Sequence, residues 1–154
     1  MTMDDATKHI VWQQCAAALG MLEHAVRACP DDLWHDPAEP RFAVLVWHCL
    51  DALDRYLERV VTDFPSPEPF TSLSAAPVPL TQVPTYGRDD LLLYLAHGRR
   101  KAGAALELVG TDHPQATLAF ELLVYNTRHI QHHTGQLYLI LRQRGGSVPP
   151  WIGK

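Results

Sequence analysis

The residues most able to do chemistry lie near the C-terminus, in Arg128-His-Ile-Gln-His-His-Thr-Gly-Gln-Leu137. His129 and His133 are four residues apart, so on a helix they project from one face, one turn apart. That separation lets two imidazoles share one metal ion, as in other helical H-x-x-x-H sites. A lone histidine on a core face is most often a satisfied core residue. Two of them one turn apart each need a partner, which makes packing alone a poor explanation. A third ligand is required. His48, within Val46-Trp-His-Cys-Leu-Asp51, is the best candidate, although it falls toward the edge of its helix's apolar stripe and also reads as a half-exposed histidine. His132 is the rival, but it points away from His133 and reads as surface or pocket rim. His9, His24, His35, His97 and His113 read as solvated or loop residues. Cys49 points about 100° from His48 on a helix, so it reads as core packing rather than a ligand.

Four helical stretches must position these side chains. Apolar residues recur at helical spacing over residues 4–28, 42–61, 89–109 and 116–144. Asp4 or Asp5 can cap the first, Pro30 ends it, and Gly145-Gly146 stops the fourth. On the fourth, Leu118, Leu122, His129, His133, Leu137, Ile140 and Leu141 cluster on the helical wheel, which points both histidines along the apolar stripe into the bundle. The connection around Trp34 reads as a compact loop. Between the second and third helices the chain holds Pro65, Pro67, Pro69, Pro77, Pro79 and Pro84, which favour extended geometry. The second helix is roughly 30 Å long at about 1.5 Å per residue. A 20-residue extended linker reaches roughly 60 Å at about 3 Å per residue, enough to start the third helix parallel to the second. The expected fold is therefore all-α: one domain, a four-helix bundle, up-down-down-up, with a long Pro-rich crossover between helices 2 and 3.

Composition narrows the function. The chain has 154 residues, 47% hydrophobic and 19% charged, with a formal net charge of −4. The acidic balance and the lack of a basic stripe argue against nucleic-acid binding. No apolar run is long enough to span a membrane, and the N-terminus lacks the pattern of a signal peptide. Cys15, Cys29 and Cys49 are odd in number without C-x-x-C spacing, which reads as reduced, mostly buried thiols in a cytoplasmic protein.

The run His129-x-x-x-His133-x-Gly-Gln-Leu137, led by Glu121-Leu-Leu-Val-Tyr-Asn-Thr-Arg128, resembles the C-terminal motif of the DinB-like superfamily. The similarity extends to His48 followed by Asp51 and Tyr56, the Trp34 loop, the long crossover and the tail Pro149-Pro-Trp-Ile152. The resemblance implies a four-helix bundle, frequent homodimers, and a divalent metal, often zinc or nickel, held by His48, His129 and His133. It does not imply DNA binding. Members of that superfamily include thiol-dependent transferases and a mycothiol-dependent isomerase, in which the metal is held to activate a low-molecular-weight thiol. Others are described only as metal-dependent hydrolases.

Three neutral imidazoles leave such an ion doubly charged, with a position open to water or substrate. Each ligand needs a partner that holds its tautomer, and Asn126, Gln136 and Asp51 lie close enough in sequence to serve. Glu121 and Asp51 are the carboxylates nearest the motif, but nothing singles out a general base. Ser66, Ser72, Ser74 and Ser147 lack a catalytic motif. Trp12, Trp47 and Tyr94 read as core or pocket wall, and Trp151 as a cover for a pocket mouth or dimer seam. Three functions remain: a metal-dependent S-transferase or hydrolase acting on a small molecule, a metal-dependent binding protein without turnover, and a dimeric helical module with vestigial histidines.

Overall fold

The computed structural model describes residues 5–70, 78–144 and 146–153. Asp4, Ser72, Ser74, Pro77 and Gly145, which entered the sequence reading, lie outside them. The described residues form five α-helices and one 3-10 turn, with no strand. The helices are α1 (Asp5–Ala28), α2 (Asp31–Trp34), α3 (Phe42–Leu57), α4 (Arg88–Leu108) and α5 (Ala116–Gln143), with the 3-10 turn at Leu80–Gln82. No helix among the described residues is long and apolar enough to cross a membrane.

The long helices pack side by side. α1 lies against α4 and α5, α3 against the same two, and α4 also touches α5. α3 is central: from Phe42 to Asp54 every residue is buried except His48. A helix apolar on nearly all sides has to be surrounded by others. Leu19, Leu22, Leu53, Leu57, Leu91, Leu123, Ile130 and Leu137 fill the space between helices without measurable exposure. Truncating such a leucine to alanine typically costs about 2–5 kcal/mol. α3 and α4 approach closely at Gly98, where a Cβ would stand 2.8 Å from Leu53 Cδ2.

Two local departures from the periodicity have physical causes. Residues 31–34, expected as loop, form a helical turn. Pro30 is its N-cap, with its carbonyl accepting from the Trp34 amide at 2.9 Å, and two aspartates favour its N-terminal end. Trp34 anchors the turn: its indole Nε1 donates to the Tyr86 carbonyl at 3.0 Å, and the Arg88 guanidinium stacks 4.7 Å above its ring. α3 stops at Leu57, short of the expected residue 61, because the Val60 amide tightens back onto the Leu57 carbonyl at 3.0 Å. At the other end of the chain, the Gly146 amide donates to the Leu141 carbonyl at 2.8 Å and satisfies one carbonyl of the last turn.

His97 differs most from its expected place. It is only 3% exposed, and Lys101, one turn further along α4, is 1% exposed. Both reach Asp54 of α3. Asp54 Oδ1 accepts from Lys101 Nζ at 2.6 Å and from His97 Nε2 at 3.0 Å. Its Oδ2 accepts from the Tyr94 hydroxyl at 3.0 Å and from Ser66 Oγ. Lys101 Nζ also donates to Glu58 Oε2 at 2.5 Å. Burial would raise the Asp54 carboxyl, but hydrogen bonds from His97, Lys101 and Ser66 outweigh it and hold it well below its usual range. Phe64 packs on His97, and Phe70 stacks on Tyr94 at 4.1 Å, so residues 58–70 close over the network.

Candidate metal centre

α3 carries His48 and α5 carries His129 and His133, and packing of the two helices brings the three rings together. Their centroids form a nearly equilateral triangle with sides of 5.0, 4.8 and 4.6 Å, each pair set edge to face. One ligating nitrogen from each residue lies within 4.8 Å of the others. His48 Nε2 and His129 Nε2 are 3.2 Å apart. Two nitrogens about 2.0–2.1 Å from a tetrahedral ion stand about 3.3–3.4 Å from each other. That one pair is therefore spaced as two ligands of one centre are; it also lies within hydrogen-bond reach, one ring nitrogen donating to the other, and the three nitrogens together span up to 4.8 Å.

Electrostatics and tautomers point the same way. Burial lowers the pKa of all three histidines, and the neighbouring imidazoles lower it further. The effect is largest at His129, brought down to about 4 by burial and then by His133, His48 and His132. All three rings are therefore neutral at pH 7, with lone pairs to donate. Gln136 Oε1 lies 2.7 Å from His133 Nδ1. The amide oxygen can only accept, so Nδ1 carries the proton and Nε2 carries the lone pair. His129 Nδ1 is buried without a hydrogen-bond partner. Tyr125 lies parallel to the His129 ring at 6.1 Å, and its hydroxyl is 3.4 Å from that of Tyr56. The donor set is all imidazole, half-buried and uncharged, and it fits a divalent transition ion.

The histidines do not lie on the buried line of α5. That line runs through Ala119, Leu122, Asn126, Ile130, Thr134, Leu137 and Leu141. His129 and His133 are each one position behind it, on the flank facing α3. A ring on the central line would be fully desolvated and closed to any ligand. His48 is likewise half-buried, at the edge where its sequence position places it.

Other expected contributors separate. Gln136 holds His133. Asn126 is fully buried and donates to the Leu122 carbonyl at 2.8 Å, within its own helix. Asp51 Oδ2 pairs with Arg55 Nε at 2.8 Å, and its Oδ1 is buried without a hydrogen-bond partner. Burial raises the Asp51 carboxyl, against the opposing pull of Arg55. Cys49 is completely buried, and burial pushes its thiol far up, so it offers no thiolate. Cys15 and Cys29 are also buried free thiols. His132 is exposed beside His133. Glu121 is exposed, as is Trp151, at 71%.

Sequence reasoning missed Tyr125 and the Asp54 network. Tyr125 stands four residues before His129, so helical spacing alone could have placed it against that ring. Tyr94, His97 and Lys101 also share a helical face, but their common partner sits on another helix. Trp47, His48 and Asp51 line one side of a cavity of about 580 Å³ that opens beside His48. Comparison with protein-family models, curated proteins and solved structures finds no match to this chain.

Proposed function

We propose that this chain is a metal-dependent enzyme of small-molecule chemistry, of the S-transferase or hydrolase type, with His48, His129 and His133 holding a divalent ion, zinc or nickel. The mutual approach of three neutral imidazoles, one from α3 and two from α5, carries this reading. Such an ion supplies Lewis acidity, which draws the pKa of a water or a low-molecular-weight thiol toward neutrality or polarises a carbonyl. The chain's own part is to orient and to shield. Gln136 holds the His133 proton on Nδ1, Tyr125 packs along the His129 plane, and the adjoining cavity admits the substrate beside His48.

The resemblance to the DinB-like superfamily supports the same reading. With it we propose the finer architecture: a four-helix bundle running up-down-down-up, with the Pro-rich segment as the crossover from α3 to α4. We further propose a cytoplasmic homodimer whose partners are small molecules rather than nucleic acid or membrane. A second reading, metal-dependent binding without turnover, is favoured by one observation. Among the described residues lining the cavity the only carboxylate is Asp51, and its Oδ2 is engaged by Arg55.

Elemental analysis of untagged protein tests the centre, with wild type beside His129→Ala and His48→Ala. The expected result is close to one ion per chain in wild type and loss in both variants. No metal in wild type, even after adding zinc or nickel, overturns the reading. Mass spectrometry across thiols and electrophiles then separates turnover from binding.

A further inference from the structure

His48 shares its cavity with a second kind of chemistry. The floor is α3, and the facing wall is the described segment Val78, Pro79 and Leu80. Arg41 fastens that wall, since its Nη2 donates to the Leu80 carbonyl at 2.7 Å. Trp47 and Ala52 make the floor largely apolar. The charged lining consists of Asp51 and Arg55, one turn apart on α3, and Arg59, two residues past its end. Asp51 and Arg55 are paired at 2.8 Å. Arg59 is exposed and forms no ion pair among the described residues. One carboxylate therefore faces two guanidinium groups, and the lining carries one net positive charge beyond anything bound by the histidines.

A cavity of this size suits a drug-sized molecule. His48 and the C-terminal end of α3 at Leu57 are roughly 14 Å apart at about 1.5 Å per residue, and Arg59 lies two residues beyond, so an occupant that engages both ends is elongated. We infer that the cavity binds an elongated small molecule with an apolar body against Trp47 and the 78–80 wall, and a terminal carboxylate at Arg59. The other end then lies at His48, where the proposed centre would act on it. That placement rests on the metal-centre reading, whereas recognition of the carboxylate does not.

The test uses phenylhexanoate and its neutral amide, phenylhexanamide, titrated calorimetrically into the 154-residue protein. The carboxylate should bind about tenfold more tightly than the amide, and added salt should weaken only the carboxylate. Arg59→Gln should cost the carboxylate about fivefold and leave the amide unchanged, because Arg59 is exposed and its charge is screened. Arg59→Lys should recover most of the loss. Equal binding of acid and amide, no binding of either, or an Arg59→Gln variant with undiminished preference would overturn the inference. Metal content measured on the same samples keeps the two readings apart. A metal-free wild type that still prefers the carboxylate supports this inference and sinks the centre. A metal-loaded protein that binds both probes alike sinks this inference alone.

Discussion

Two polar clusters hang from α3, and they are built in opposite ways. Around Asp54, six residues beyond His48, both carboxylate oxygens are taken, by Lys101, His97, Tyr94 and Ser66. The cluster is sealed by aromatic rings and its charges are paired. Around His48 the rings are half-buried and uncharged, and they meet one another rather than an acid. His129 Nδ1 has no partner at all. A saturated buried network has nothing left to offer a ligand, so its role is to tie α3 to α4 and to residues 58–70. Neutral imidazoles that meet chiefly one another, two of them within hydrogen-bond reach, keep donor capacity for an ion. The contrast teaches that buried polarity by itself does not mark a functional site. Half-buried neutral donors that converge on one point do.

Substitutions can break this contrast. The largest effect is expected for His129→Ala, which should abolish stoichiometric metal binding, read by elemental analysis, while the metal-free variant unfolds in urea close to wild type. A variant that keeps its ion would remove His129 from the centre. Asp54→Ala should do the reverse. It leaves Lys101 charged and buried beside only Glu58, and should cost about 3–5 kcal/mol in urea unfolding, with metal content per folded chain preserved. A loss below about 1 kcal/mol would place the network with ordinary surface ion pairs.

Gln136→Ala sharpens the picture within the histidine cluster. It removes the acceptor that fixes the His133 tautomer, and should weaken zinc affinity about tenfold in a chelator competition, the lower end for such supporting partners because Gln136 is exposed. Unchanged affinity would show that packing alone orients His133.

The smallest effect separates the clusters by pH. The folded-state pKa of each site histidine lies below its ordinary 6.5, so the unfolded chain binds more protons there on acidification. Their contribution to metal-free stability is full above pH 6.5 and is lost as pH falls toward about 4, the His129 value. Asp54 is also depressed, below an ordinary 3.8, so its contribution holds above that pH and declines only below it. In metal-free protein, His129→Ala should flatten the stability profile between pH 6.5 and 4, and Asp54→Asn the part below. Identical profiles in both variants would contradict the separation.

The long helices were legible from the residues because helical periodicity is local: Phe42, Val46, Cys49 and Leu53 announce α3 whatever surrounds it. The spacing of His129 and His133 is local in the same way, since an i, i+4 pair on a helix is one turn apart regardless of the fold. Sequence alone therefore determined four long helices, one histidine pair on a single face, an acidic chain and three unpaired cysteines. Tertiary structure decided what those faces meet. His48 stands 81 residues from His129, and only the packing of α3 on α5 sets their Nε2 atoms 3.2 Å apart while leaving His132 outside. The same holds for His97, which reads as solvated until Asp54 of α3 is placed opposite it. A side chain's type and period follow from its neighbours in the chain. Its partner, burial and protonation follow from atoms tens of residues away, brought close by the burial of the apolar faces between them.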